Sequence, residues 1–291
     1  MTRRGVWACV ALAGVAGAGL ALWLCGPRGG RGPVRPAGMV ETVAADGGRS
    51  FVALPPSLPH ARPRAALGAE MFRERRLART PRRVCAACHL LNEGGTDGKV
   101  RGGVLTRPAV NAVFAEMFLH DGSVTGLAEV VRRMFEEKAF SGAGSLAAAA
   151  DRLRAGDAAL AARFAAAYPD GLTATNVVDA VVQFAHTRPM LSGGTAFDLF
   201  CGGRTNALDA AQRRGLEVFR DNCLSCHDGA TLGARQIRRG LKVPALRGVA
   251  RRRAFFSDGS CARLEEAVDR MAGARLDAPS RAALVALLRA F

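Results

Sequence analysis

The chain has 291 residues, 49% of them hydrophobic, with 34 glycines, a composition that describes a globular protein of two modest domains and excludes a disordered one. Its formal net charge of +16 rests almost wholly on arginine, since Lys99, Lys138 and Lys242 are the only lysines. No basic helix interleaved with aromatic residues occurs, so no nucleic-acid partner is expected; the charge suits anionic lipid, an acidic protein or mere compositional bias.

Taken in chain order, "MTRRGVWACVALAGVAGAGLALWLCGPRGG" places Arg3 and Arg4 before an uncharged run from Gly5 to Pro27. That run is long enough to cross a bilayer, and residues 1–27 read as a signal-anchor or a signal peptide. Cys25 lacks the small residue that a lipoprotein signal places before it. Residues 28–63 are rich in Gly, Pro and Arg and read as an extended tether.

From Ala65 the apolar spacing turns helical. Leu67, Met71 and Phe72 mark one helix, and Leu127, Val130, Val131, Met134 and Phe135 mark a second. Further helices are expected at 157–167, 175–187, 207–220, 263–272 and 278–291, the last with Asp277 as cap and Pro279 in its first turn. No convincing two-residue alternation is present, so the expected fold class is all-α. The Gly- and Pro-broken stretch 186–206 makes a natural seam. It divides a first domain, 64–190, from a second, 191–291, and each contains one Cys-x-x-Cys-His.

Those motifs are "VCAACHLLNEGGTDG" and "NCLSCHDGATLG". Thiols two residues apart on one turn can add across the two vinyl groups of a haem, and the adjacent histidine then coordinates the iron. Cys85, Cys88 and His89 would hold one covalently bound haem c, and Cys223, Cys226 and His227 a second. A zinc ribbon would set its two pairs far closer in sequence, and a redox dithiol needs no histidine. Attachment of c-type haem occurs outside the inner membrane, which points to the bacterial periplasm, with residues 5–27 as the membrane tether. Cys9 and Cys25 lie in the apolar segment. Cys201 and Cys261 are either a disulfide or two buried thiols.

From about Leu67 to Phe291 the chain resembles the bacterial dihaem cytochrome c peroxidases and their relative MauG. The resemblance is carried by "LGAEMF", "CAACHLLNEGGTDG", "NAVFAEMFLHDGSVTGLAEVV", "GLEVFRDNCLSCHDG" and "KVPALRGVARRRAFFSDGSCARLEEAVDRM". It implies two tandem cytochrome c-like haem domains behind the N-terminal apolar segment. The haem on His89 would be the peroxidatic one, and the haem on His227 would accept electrons. Met271 matches the position of the second iron's far-side ligand; the residues alone also allow core packing, because Leu264, Val268 and Met271 share a helix face.

The resemblance also implies that Arg247 pairs with a haem propionate and that Asn111, with backbone oxygen around Pro244, holds one calcium ion. Three departures stand out. No histidine lies between Leu90 and Pro108 to cap the first iron. His120 occupies the place of an interhaem tryptophan. Val130 and Phe140 fall where the family has its distal glutamine and glutamate, leaving Glu136 and Glu137 nearby as acid–base candidates beside His120. The dense arginines Arg235, Arg238, Arg239, Arg251, Arg252 and Arg253 suit a small acidic electron donor such as a cytochrome c or cupredoxin.

The function implied is reduction of hydrogen peroxide to water by an oxidoreductase of the cytochrome c peroxidase type, with a homodimer as an assembly the resemblance allows. The alternatives are a non-catalytic dihaem electron-transfer protein on the same scaffold and, third, a MauG-like oxidase. With no tryptophan outside the apolar segment and Tyr168 the sole tyrosine, radical chemistry on aromatic side chains has little to rest on.

Overall fold

The computed structural model describes residues 40–41, 51–78, 80, 82–137 and 145–291. The apolar segment expected at 1–27 lies outside these, as do most of the tether, Lys138 and Phe140. The described residues belong to one compact unit, and among them no helix is long and apolar enough to cross a membrane.

Ten α-helices occur among the described residues: α1 (Arg62–Met71), α2 (Cys85–Cys88), α3 (Leu127–Glu136), α4 (Leu146–Gly156), α5 (Ala158–Ala167), α6 (Ala174–Ala185), α7 (Ala196–Cys201), α8 (Ala210–Asn222), α9 (Leu264–Ala272) and α10 (Ala278–Ala290). Local chemistry sets their starts. Thr195 and Asp198 form a capping box on α7, Asp209 and Gln212 another on α8, and Asp277 caps α10 with a proline in its first turn, each satisfying amides that the first turn leaves open. Two helices escaped the sequence reading. In α4 the alanine run blurs the apolar stripe, and α7, at six residues, hides in the expected seam.

The fold is helix-rich, but it is not free of strands. Among the described residues there are four two-stranded antiparallel ribbons: β1–β2 (Val40–Glu41, Val52–Ala53), β3–β4 (Val100–Arg101, Val104–Leu105), β5–β6 (Met117–Phe118, Val124–Thr125) and β7–β8 (Ile237–Arg238, Leu241–Lys242). Each strand has two residues, too few to print an alternation that sequence reading can detect.

Among the described residues the two largest apolar clusters are each closed by a helix pair meeting over a glycine. In the first, α1 crosses α6 so closely that a Cβ on Gly68 would lie 1.8 Å from the Ala180 carbonyl oxygen; Leu67, Met71, Leu160 and Phe164 fill the space around them. In the second, α8 crosses α10, and a Cβ on Gly215 would lie 2.1 Å from the Ala283 oxygen, beside Phe197, Phe219, Leu287 and Phe291. Only glycine permits backbones to approach so closely.

The end of the expected tether is part of the core. Phe51 packs edge-on to Phe197 with ring centroids 5.3 Å apart, and Leu54 and Leu58 are buried against Phe114 and Leu191. This strap is held by a buried ion pair, Arg247 Nη1 to Asp198 Oδ1 at 2.8 Å. Asp198 also accepts the Leu54 amide at 2.7 Å, while the remaining Arg247 nitrogens donate to the Val52 and Ala230 carbonyls. Both charges are therefore hydrogen-bonded on all sides, as burial requires. Cys201 and Cys261 are both buried in the second core and are not joined to one another by a disulfide.

Removing the guanidinium would leave Asp198 charged and dry. Arg247→Ala is expected to cost about 3–5 kcal/mol in chemical denaturation of the haem-loaded protein, whereas replacing both partners with apolar residues of similar volume should cost much less.

Candidate functional site

Each Cys-x-x-Cys-His motif is folded so that Nδ1 of its histidine lies against a backbone carbonyl. In the first, α2 is a single turn from Cys85 to Cys88, and the His89 amide closes it on the Cys85 carbonyl at 2.8 Å. His89 Nδ1 lies 3.0 Å from the Gly95 carbonyl oxygen. In the second motif the His227 amide bonds the Cys223 carbonyl at 2.9 Å, and His227 Nδ1 lies 3.2 Å from the Leu232 oxygen. A carbonyl can only accept, so Nδ1 carries the proton in both rings and Nε2 presents its lone pair. Burial pushes both imidazole pKa values down, with the carbonyl bonds opposing it, so both rings are neutral, as coordination to iron demands.

The thiols do not suit a redox dithiol. Burial pushes Cys85 up to about 12 and Cys223 up to about 11, whereas an exchange-active cysteine is held low. Nor do the two motifs converge on a common metal: among the described residues no three His, Cys, Asp or Glu side chains form a metal-ligand group.

The two motif regions clasp one another reciprocally. The β7–β8 ribbon of the second half reaches the Asp121–Gly122 turn of the first, where a Cβ on Gly122 would lie 2.9 Å from Ile237 Cδ1. The β3–β4 ribbon of the first half reaches the Asp258–Gly259 turn of the second, where a Cβ on Gly259 would lie 2.7 Å from Val100 Cγ2. The main chain repeats the exchange: the Lys242 amide donates to His120 O and the Leu105 amide to Ser257 O, both at 2.7 Å. Each residue of one contact has its counterpart in the other 137 positions along the chain: Val100 and Ile237, Leu105 and Lys242, His120 and Ser257, Gly122 and Gly259. The halves are thus two copies related by an approximate twofold.

Between the two motifs lies a cluster of inward-turned cations that the sequence reading missed. The guanidinium of Arg107 has buried Nε and Nη2 atoms without partners, and Arg252 has a buried, unpartnered Nε. Burial pushes Arg252 down to about 10 and Lys242 to about 8, with the Arg107 charge a further cause in each, which puts the three near one another. The Arg107 carbonyl also lies within hydrogen-bonding reach of His89, while Arg252 acts electrostatically on His227. Dry N–H donors of one charge are costly alone and call for carboxylates. A haem brings two propionates, so these residues fit the group. Arg107 was legible only as a lone arginine before a proline; Arg252 was lost among three consecutive arginines.

Other expected residues stand elsewhere. Arg247, assigned to a propionate, is committed to Asp198 and two carbonyls. The Asn111 amide closes on Ser192, Nδ2 to Oγ at 2.7 Å and Oδ1 to the Ser192 amide at 2.9 Å. The Pro244 oxygen lies close to His227 and to Gly233. Glu136 pairs with Arg132, and Glu137 lies 4.0 Å from Arg133, the pattern of a solvated helix face. His120 joins the clasp through its backbone, and its side chain is exposed. Met271 is 57% exposed while Leu264 and Val268 on the same helix are buried; core packing therefore does not account for it. Of the arginines expected to face a donor, Arg235 pairs with Glu116 and Arg253 with Glu93, while Arg238, Arg239 and Arg251 are exposed.

Comparison with known proteins gives a consistent picture. The family model described as di-haem cytochrome c peroxidase matches residues 62–206. The chain is 31% identical over 202 residues to the cytochrome c peroxidase Ccp of Escherichia coli (strain K12), covering 62% of this chain and 40% of that protein. It is 26% identical over 251 residues to the cytochrome c551 peroxidase of Nitrosomonas europaea, covering 73% of this chain and 74% of that one. The chain thus spans well under two thirds of the first relative's length. Among solved structures, a MauG-like protein associated with microbial copper homeostasis has the same fold, with a TM-score of 0.68, 19% identity, and coverage of 82% of this chain and 93% of that one.

Arg107→Leu removes a buried positive charge beside the motifs and should lower the reduction potential of at least one bound haem, because ferric iron then meets less repulsion. Spectroelectrochemical titration reads the shift, and an unchanged pair of potentials would place the charge elsewhere.

Proposed function

The chain belongs to the dihaem cytochrome c peroxidase and MauG family, and from that premise we propose that it is a periplasm-facing dihaem peroxidase reducing hydrogen peroxide to water. The observation that carries the reading is the pair of histidines, each with Nδ1 fixed on a backbone carbonyl and Nε2 left for iron, folded into two halves that grip one another. A c-type haem, when bound, supplies an iron that exchanges single electrons and can react with peroxide at an open position.

The chain's own residues do the rest. Cys85, Cys88, Cys223 and Cys226 tether the two groups, and His89 and His227 orient them. Arg107, Lys242 and Arg252 gather propionates between the halves. Met271, on the exposed side of α9, is the residue for the far side of the second iron; a thioether there raises the potential and suits a haem that must keep an electron until peroxide arrives. Residues 1–27 would serve as anchor or export signal. Arg238, Arg239 and Arg251 form the surface that draws an acidic donor toward the second half.

A second reading is electron transfer without catalysis. It is favoured by the surface ion pairs of Glu136 and Glu137 and by Val130, which cannot exchange a proton. Cleaving a peroxide bond needs a proton taken from one oxygen and given to the other.

Steady-state peroxide reduction after one-electron prereduction separates the readings: turnover with a reduced c-type donor supports the peroxidase, and its absence leaves the carrier. For donor docking, Arg238→Glu with Arg239→Glu should slow electron entry about tenfold at low ionic strength, with the difference fading as salt rises. A salt-insensitive rate would exclude the arginine surface as the docking site.

A further inference from the structure

The 137-residue step that relates the clasps continues into the helices that follow them. After the Asp121–Gly122 and Asp258–Gly259 turns, the Ser123 and Ser260 amides bond the aspartate Oδ1 atoms at 3.1 and 3.0 Å. The residues two before each aspartate, Leu119 and Phe256, share the left-handed conformation, with φ of 61° and 66°. Then α3 begins at Leu127 and α9 at Leu264, and their eighth residues are Met134 and Met271. The helices also meet equivalent neighbours. Val131 and Phe135 of α3 pack in the cluster that contains Cys85, and Leu264 and Val268 of α9 pack in the cluster that contains Cys223. Val131 and Val268, equivalent by the same step, each pack in the cluster that contains the first cysteine of their own motif, and the methionine follows three residues on in both helices.

We infer that Met134 is the far-side ligand of the iron held by His89, as Met271 is of the iron held by His227. The inference rests on the proposed dihaem reading and answers a question that reading leaves open. No histidine is available between Leu90 and Pro108, and Val130, Glu136 and Glu137 do not form a distal acid–base group. A methionine at the position equivalent to Met271 supplies the missing side chain from the same helix. An unbranched thioether is flexible and a soft donor to haem iron. Ligation exchanges a water or an empty position for sulfur and transfers no electron. Both irons would then be six-coordinate at rest, and peroxide would reach the first only after the Met134 sulfur leaves.

The experiment uses the exported, haem-loaded protein in its ferric state and compares Met134→Leu with Met271→Leu, substitutions that keep volume while removing the ligand. The readouts are the weak long-wavelength charge-transfer band of methionine-ligated ferric haem, the high-spin signal and the two reduction potentials. The expected result is that each substitution removes roughly half of the band and creates one high-spin haem. Met134→His should restore low-spin character to the first haem and lower its potential. If Met271→Leu abolishes the whole band and Met134→Leu changes neither spin state nor potential, Met134 is no ligand, and the dihaem reading survives without it. If mass analysis finds fewer than two haems, the underlying reading falls together with the inference; if two haems are bound and neither substitution alters the spectrum, the inference alone falls.

Discussion

The reciprocal grip of two short ribbons on two Asp-Gly turns is the constraint from which the functional geometry follows. Each ribbon belongs to one half and closes on the turn that launches the far-side helix of the other. Neither half can therefore place its own α3 or α9 without its neighbour. Gly122 and Gly259 are needed twice over, for their positive φ of 74° and 68° and because a hydrophobic side chain from the opposite half occupies the place of their Cβ. A methyl group at either would push the ribbon away and with it the helix behind the turn.

Within that frame the protein uses a local bond where orientation matters. A histidine that coordinates iron must hold one nitrogen bare and point it in one direction. The carbonyls of Gly95 and Leu232 achieve both by capturing Nδ1. They lie six and five residues past their histidines, so the loops after each motif set ring orientation while the tertiary fold sets only where the loop sits.

Charge is handled in two contrasting ways. Arg247 and Asp198 are buried and mutually satisfied, and they fasten an N-terminal strap to the second half. Arg107 keeps its buried Nε and Nη2 unmatched by protein and Arg252 its Nε, while Arg252 Nη1 and Nη2 donate to the Ala245 and Arg247 carbonyls, and burial lowers the pKa of Arg252 and of Lys242. The first arrangement is a finished structural joint. The second leaves buried donors that the propionates of a haem would match under the proposed reading.

The sequence by itself determined what is local: the two Cys-x-x-Cys-His turns, the helices with clear apolar stripes, and the recurrence of one kind of motif in each half. Those features depend on residues a few positions apart, where spacing and capping chemistry suffice. It is silent where the neighbour is distant: nothing local to Arg247 announces Asp198 and the 51–54 segment beside it, nor Ser192 against Asn111. Residues 51–58 read as tether because their apolar partners lie more than fifty residues away, and the ribbons are too short to leave a period. Only the tertiary structure decided which arginines turn inward, where the two halves meet, and that Met134 and Met271 hold equivalent places, because each of these is a relation between segments that chain connectivity leaves far apart.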